Sequence, residues 1–336
     1  MLRLSMRPLR LLSALAVLLA VLPAAAGCAS GGGASDTRPN RDVRMLLDFQ
    51  PGAVHAGIYL AVERGYDDAE GVRLQVTPPT SSTDGVKALL SGRADLAILD
   101  IHDLALAREQ GRDLVGVMAL VQTPLAAVLA QPGVRRPRDL EGRRVGVTGL
   151  PSDDAVLDSI VSGDGGDPRK VRRTTIGFNA VPALLSRKVA AATAFWSAEG
   201  VAVRYRRPGV REFRLEDFGA PSYPELVLVA TRETVENEGA AVRATVRALR
   251  RGYEATINDP DAAVSALTGA VPELRRAATM RALAAVSPSF TAGARRFGEL
   301  DAERLRAWAR WERRMGITRR QPDVAAAFSP ATASAE

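Results

Sequence analysis

The chain has 336 residues and a formal net charge of +7. That excess is almost all arginine, because Lys87, Lys170 and Lys188 are the only lysines; acidic residues are interspersed throughout, so there is no basic stripe of the kind nucleic acid needs. Cys28 is the single cysteine and His55 and His102 are the only histidines, which excludes an internal disulfide and a cysteine metal cluster and leaves a protein-only metal site poorly supplied.

In chain order, residues 1–27 read as a secretory signal. Arg3, Arg7 and Arg10 precede an apolar run over 11–22, and Ala25-Ala26-Gly27 lead into Cys28. The run is too short for a comfortable membrane span. A lone cysteine after small residues resembles the bacterial lipobox, here with Ala25 where Leu is commonest, and the resemblance implies that Cys28 is lipidated and becomes the mature amino terminus. Residues 28–40 are Gly/Ser-rich and polar and suit a flexible tether. The expected location is therefore the extracytoplasmic face of a bacterial cell membrane, held by a lipid anchor alone.

The body alternates strands and helices. A strand through Val43, Met45, Leu46 and Leu47 runs into the turn Asp48-Phe49-Gln50-Pro51-Gly52, and a helix with Ile58, Ala61 and Val62 on one side ends at Gly65. Residues 72–76 alternate apolar and polar like a strand. A helix from Asp84 stops at Gly92, 96–99 is a short buried strand with Asp100 at its carboxyl end, and the next helix covers 104–110. Residues 114–121 and 126–130 read as strands on either side of Gln122-Thr123-Pro124. A second series opens with a strand over 144–147. It continues through a helix at 153–161, a strand at 171–176, a helix at 180–185 and a strand at 191–195, and a strand near 226–229 closes it. From Glu233 onward the pattern is mostly helical, and the Ala/Ser/Pro-rich stretch 319–336 reads as a disordered tail.

Repeated βα units predict an α/β architecture with largely parallel sheets. Two such series predict two lobes: 41–121 begins the first, 122–226 forms the second, and 227–318 completes the first. A cleft between lobes is a natural ligand site, and crossings near Gln122-Thr123 and 222–226 act as hinges. Side chains at the carboxyl ends of the strands are the candidates to line it. From the first lobe these are Phe49, His55, Tyr59 and Asp100. From the second they are the turn 149–152, Asn179, Trp196, Glu199, Tyr223 and Glu225. Phe49 and Tyr59 alternatively pack in the core, Asp100 alternatively caps the following helix, Trp196 alternatively packs inside, and Glu199 alternatively faces solvent.

Five stretches in order, LDFQPGAVHAGIYLAVERGY (47–66), SGRADLAIL (91–99), DLEGRRVGV (139–147), AFWSAEG (194–200) and PSYPELVL (221–228), resemble the NMT1/THI5-like solute-binding proteins of ABC importers, particularly those for thiamine-pyrimidine precursors. The resemblance implies a two-lobed periplasmic-binding-protein fold of type II, with a ligand ring held between aromatics and hydrogen-bonded by carboxylates and a histidine. By motif position this falls on Phe49, His55, Tyr59, Trp196, Glu199, Tyr223 and Glu225, with Asp100 added by topology. Members typically carry Trp where Phe49 stands. The expected ligand is an aminopyrimidine-like heterocycle gripped between Phe49 and Trp196, delivered by a monomer to an ABC permease and its ATPase, without cofactor, metal or nucleic acid. The alternatives are riboflavin, nitrate or sulfonates, or a pyrimidine-synthase-like enzyme. Against an enzyme stand the lack of a Ser/His/Asp grouping, of a GxxxxGK motif and of a cysteine beyond Cys28.

Overall fold

The computed structural model describes residues 40–81 and 83–329. The signal segment, Cys28 and nearly all of the tether lie outside the described residues. Strands β1 (Arg41–Leu46), β2 (Val72–Thr77), β3 (Leu96–Asp100) and β4 (Leu114–Ala119) come first along the chain. They are followed by β5 (Ala126–Ala130), β6 (Arg144–Val147), β7 (Arg172–Thr175), β8 (Ala191–Phe195), β9 (Arg211–Arg214) and β10 (Leu226–Thr231). Two five-stranded sheets result, ordered β2-β1-β3-β10-β4 and β7-β6-β8-β5-β9.

Each sheet has the same logic. β1 is parallel to β2 and β3, and β6 is parallel to β7 and β8, as helical crossovers require. One antiparallel strand enters each sheet just after the chain has crossed from the other lobe: β5 beside β8 and β9, and β10 beside β3 and β4. The sheets are therefore mixed, where the sequence predicts largely parallel ones. The strand expected to close the second series is β10, and it belongs to the first sheet instead. Its run Leu226-Val227-Leu228-Val229-Ala230 is buried throughout, as an interior strand must be. β9 escapes a reading of apolar periodicity because Phe213 is its single buried residue.

The helix Ala56–Glu63 packs on the long helix Gly239–Asn258, whose apolar stripe includes Val242, Val246 and Leu249. Close approach needs glycine on both sides: Tyr253 lies over Gly57, and a Cβ at Gly252 would collide with the Gly57 carbonyl. Ile58 and Ala61 are buried as expected, but Val62 is 39% exposed, because only one stripe of this helix meets its partner. The stretch read as a disordered tail is folded as far as Ser329. Asp323 caps the helix Val324–Ala327, and Phe328 fills the slot over Gly116 and packs edge-on against Trp308. Composition hides this, since one aromatic at the end of a polar stretch supplies the anchor.

The chain passes between the sheets at 120–125 and again at 215–225. Arg304, on the helix Ala302–Arg314, reaches both crossings. Its Nη2 donates to Gln122 O and, at 2.6 Å, to Ser222 Oγ, while Nη1 donates to Ala292 O at 2.8 Å.

Candidate functional site

A cavity of about 100 Å³ opens where the carboxyl ends of β1, β3, β6 and β8 face one another across the two sheets. Asp48, Asp100, Asp103, Asp153 and Glu199 line it, together with Phe49, Phe178, Phe195, Thr148, Ser152 and Thr193. Among the described residues no lysine or arginine does. Such a cavity favours a flat molecule carrying hydrogen-bond donors or positive charge.

The turn after β1 sets the first wall. Phe49 meets Phe178 edge-on, with centroids 4.3 Å apart. His55 is buried behind the turn: its Nδ1 accepts from the Gly52 N–H at 3.1 Å, so Nε2 carries the proton and donates to Asp48 Oδ1 at 2.8 Å. His55 thus aims the Asp48 carboxylate, and Asp48 lines the cavity. Tyr59 does not line it; one helical turn on, it leans half-buried on the hydrophobic core, where burial raises its phenol.

β8 sets the opposite wall. Successive residues leaving a strand face opposite ways, so Phe195 lines the cavity and Trp196 turns inward. The Trp196 indole donates from Nε1 to Pro124 O at 3.0 Å, lies 4.0 Å beneath the Arg214 guanidinium, and is core. The expected Phe49–Trp196 sandwich is therefore replaced by Phe49, Phe178 and Phe195. Residues Trp196–Gly200 form a π-helical turn, a feature frequent at functional sites. It brings Glu199 back to the cavity, where Oε2 accepts from the Phe195 N–H at 3.2 Å. In the turn over 149–152, Leu150 and Ser152 line the cavity, whereas Asn179 donates to Ile176 O and leaves the wall to Phe178.

Asp100 does both things expected of it. Its Oδ1 accepts from the His102 N–H at 2.8 Å as the cap of the helix Ile101–Glu109, and it lines the cavity. Asp103, three residues on and so on the same helix face, lines it too. Burial raises these acids. Glu199 is pushed up to about 7 and Asp103 to about 8, the latter helped by the neighbouring Asp100 charge. Burial also raises Asp153 and, joined by Glu225, holds Asp100 well above its ordinary value. Such a set is costly without a cation or donor to satisfy it.

Tyr223 and Glu225 lie beneath this floor, not in it. Both are fully buried. The register pairs Leu226 with Asp100, so Leu226 reaches the cavity and Glu225, one residue earlier, faces inward, its Oε2 accepting from the Leu125 N–H at 2.8 Å. His102 bridges Glu312 Oε2, 2.7 Å from Nδ1, and the Tyr223 hydroxyl, 2.9 Å from Nε2. Burial opposes a charge on His102, but Glu312 and then Asp100 outweigh it and push His102 up to about 10. One polar atom each of Asp100, His102 and Glu225 lies within 4.8 Å of the others. Because both ring nitrogens of His102 are already hydrogen-bonded, this trio is an internal ion cluster with no imidazole lone pair for a metal.

Sequence reasoning thus finds Phe49, Asp100 and Glu199 and misses Asp48, Asp103, Asp153, Phe178 and Phe195 as cavity residues. Asp48 was legible as the acid at the end of β1, and Asp103 as one helical turn from Asp100. Phe178 sits in an irregular loop with no period to mark it.

Comparison with known proteins agrees with this architecture. The alkanesulfonate-binding protein from Xanthomonas axonopodis pv. citri, solved with MOPS bound, superposes with a TM-score of 0.69 at 18% identity, covering 87% of this chain and 99% of its own. That likeness carries the fold, a two-lobed periplasmic-binding-protein architecture. The formylaminopyrimidine-binding protein of Halalkalibacterium halodurans is 33% identical over 237 residues, 70% of this chain and 72% of that protein. A 4-amino-5-hydroxymethyl-2-methylpyrimidine phosphate synthase of Legionella pneumophila is 22% identical over 238 residues, 69% of this chain and 75% of that one. Residues 52–263 match the family described as NMT1/THI5 like, and this chain belongs to it.

Proposed function

We propose that this chain is an extracytoplasmic solute-binding protein that takes an aminopyrimidine and hands it to an ABC permease and ATPase. The observation that carries this reading is the cavity wall: five carboxylates, three phenyl rings and no basic side chain among the described residues. Nitrate or a sulfonate entering it would meet acidic groups and, among the described residues, no basic side chain to balance its charge. An aminopyrimidine offers exocyclic N–H donors and a ring nitrogen that takes up a proton between carboxylates, with Glu199 and Asp48 as acceptors and the phenyl rings against its faces. About 100 Å³ suits one six-membered ring better than the three fused rings of riboflavin. The relative that binds formylaminopyrimidine supports the same class of ligand. Relatives also include synthases, but the binding protein is the more similar, 33% identical against 22%, and that supports binding rather than turnover.

Closure about the two crossings follows from ligand contacts better made in the closed state. The signal-like start and Cys28 support export and a lipid anchor, with a single copy sufficing for capture. The test is a thermal-shift and calorimetric titration of the chain from Ala29 onward. Probes are 4-amino-5-hydroxymethyl-2-methylpyrimidine, formylaminopyrimidine, riboflavin, nitrate and an alkanesulfonate. At a hundredfold excess over Kd, a true ligand stabilises by about 2.7 kcal/mol. An upward shift with the aminopyrimidines is expected; a shift with an anion and none with them overturns the reading.

A further inference from the structure

The ligand cavity does not end at its aromatic wall. Asp48, Phe49, Phe195 and Glu199 are shared with a second, outer chamber of about 300 Å³. Its surroundings have the opposite polarity. Arg206, at the end of the second-lobe helix Val201–Arg206, and Arg275 and Arg281, at and along the first-lobe helix Arg276–Val286, line the outer chamber. Arg281 is committed, its guanidinium lying 4.0 Å over the Tyr205 ring and so joining the two lobes. Arg206 and Arg275 are exposed, and among the described residues their guanidinium groups have no ion pair or hydrogen bond. Gln50, His55, Tyr205 and the buried Ser197 and Thr279 add neutral polar groups to the lining. Among the described residues, Asp48 and Glu199, on the shared wall, are the only carboxylates in the outer lining.

We infer that the outer chamber is a second subsite for an anionic arm on the same ligand. The inner chamber takes the amino-bearing ring, and the arm passes between Phe49 and Phe195 toward Arg206 and Arg275. This rests on the aminopyrimidine reading and adds to it: the favoured solute is amphoteric, a donor-rich heterocycle with a phosphoryl or carboxylate substituent. Arginine suits such an arm because its guanidinium presents paired donors. The division of charge also orients the ligand, since reversing it would set the anion among five carboxylates and the ring amines beside arginine.

The experiment compares 4-amino-5-hydroxymethyl-2-methylpyrimidine with its phosphate ester by titration calorimetry on the purified protein, at low and high salt, with inorganic phosphate as a third probe. The ester is expected to bind at least about tenfold more tightly than the alcohol at low salt. Salt should shrink that advantage, because the arginines are exposed. Arg206→Ala/Arg275→Ala should weaken the ester at least about tenfold more than it weakens the alcohol. Inorganic phosphate alone should give no heat and should not displace the alcohol. An ester no tighter than the alcohol, or one whose advantage survives the double substitution, overturns the outer subsite while leaving the aminopyrimidine reading intact. Phosphate binding as tightly as the ester replaces a linked arm with a separate anion site. If neither pyrimidine binds, both readings fall together.

Discussion

Two acid-rich regions lie back to back in this molecule, one on each side of Asp100. Behind it, Glu312 and Glu225 are fully buried but have a resident cation, His102, with Tyr223 completing its bonds. In front, Asp48, Asp103, Asp153 and Glu199 surround a cavity with no basic side chain among the described residues. Similar carboxylates therefore serve different ends. A cluster that carries its own counter-ion holds the fold; one that lacks it is completed only by what enters from outside. Burial alone, or an elevated carboxyl alone, does not tell the two apart, because both regions show it.

Breaking the rear cluster should cost most. Glu312→Ala removes the carboxylate bonded to His102 Nδ1 in the interior, so unfolding free energy should drop by about 3–5 kcal/mol in urea denaturation. A loss below about 1 kcal/mol would mean the cluster is not structural. Trp196→Ala removes a core indole and should cost about 3 kcal/mol or more by the same measurement. Weakened ligand binding with unchanged stability would return Trp196 to the cleft.

The front cluster should respond the other way. Glu199→Gln is expected to weaken aminopyrimidine binding by about 1.5–3 kcal/mol, the contribution of a hydrogen bond to a charged group, with apo stability unchanged or raised at pH 8. Calorimetry and a thermal melt on one sample separate the two effects. Its pH dependence sharpens the contrast. Glu199 is raised from 4.5 to about 7, so its contribution to stability is fully present below pH 4.5 and is lost as pH climbs to 7. The ligand-free protein should lose melting temperature across that window, and Glu199→Gln should reduce the loss, the remainder belonging to the raised Asp103 and Asp153. His102, raised from 6.5 to about 10, loses its contribution between those values, so a decline that continues in both proteins beyond the Asp103 value of about 8 belongs to His102 and Asp100. The smallest effect belongs to the clasp between lobes. Tyr205→Ala removes a stacked, exposed cation–π pair and should speed ligand release only about twofold to fivefold in stopped-flow.

Much of the scaffold was legible from apolar runs, and the helix at 180–185 and the strand at 191–195 lie where the periodicity puts them. What a run of apolar residues does not state is which sheet it joins. β10 reads the same in either lobe, and its partner is decided by β3 and β4, far away in the chain. The site failed at a finer scale. Phe195 and Trp196 are neighbours of equal promise, and only the direction in which β8 presents its faces makes the first a wall and the second core. Leu226 and Glu225 repeat that problem. Tyr59 was misplaced for a related reason: its helix buries one stripe, and which side chains flank it is settled by packing against Gly239–Asn258.

Arg304 has a mechanical consequence. One guanidinium is bonded to Gln122 in the outgoing crossing and to Ser222 in the returning one. The two connectors are thereby yoked, and neither can flex without pulling the other through the same side chain. Any hinge motion that lets one connector yield and holds the other must break one of these two bonds, so coupled movement of both is favoured. Under the proposed function, such a yoke favours two outlines, empty and full, over a graded series.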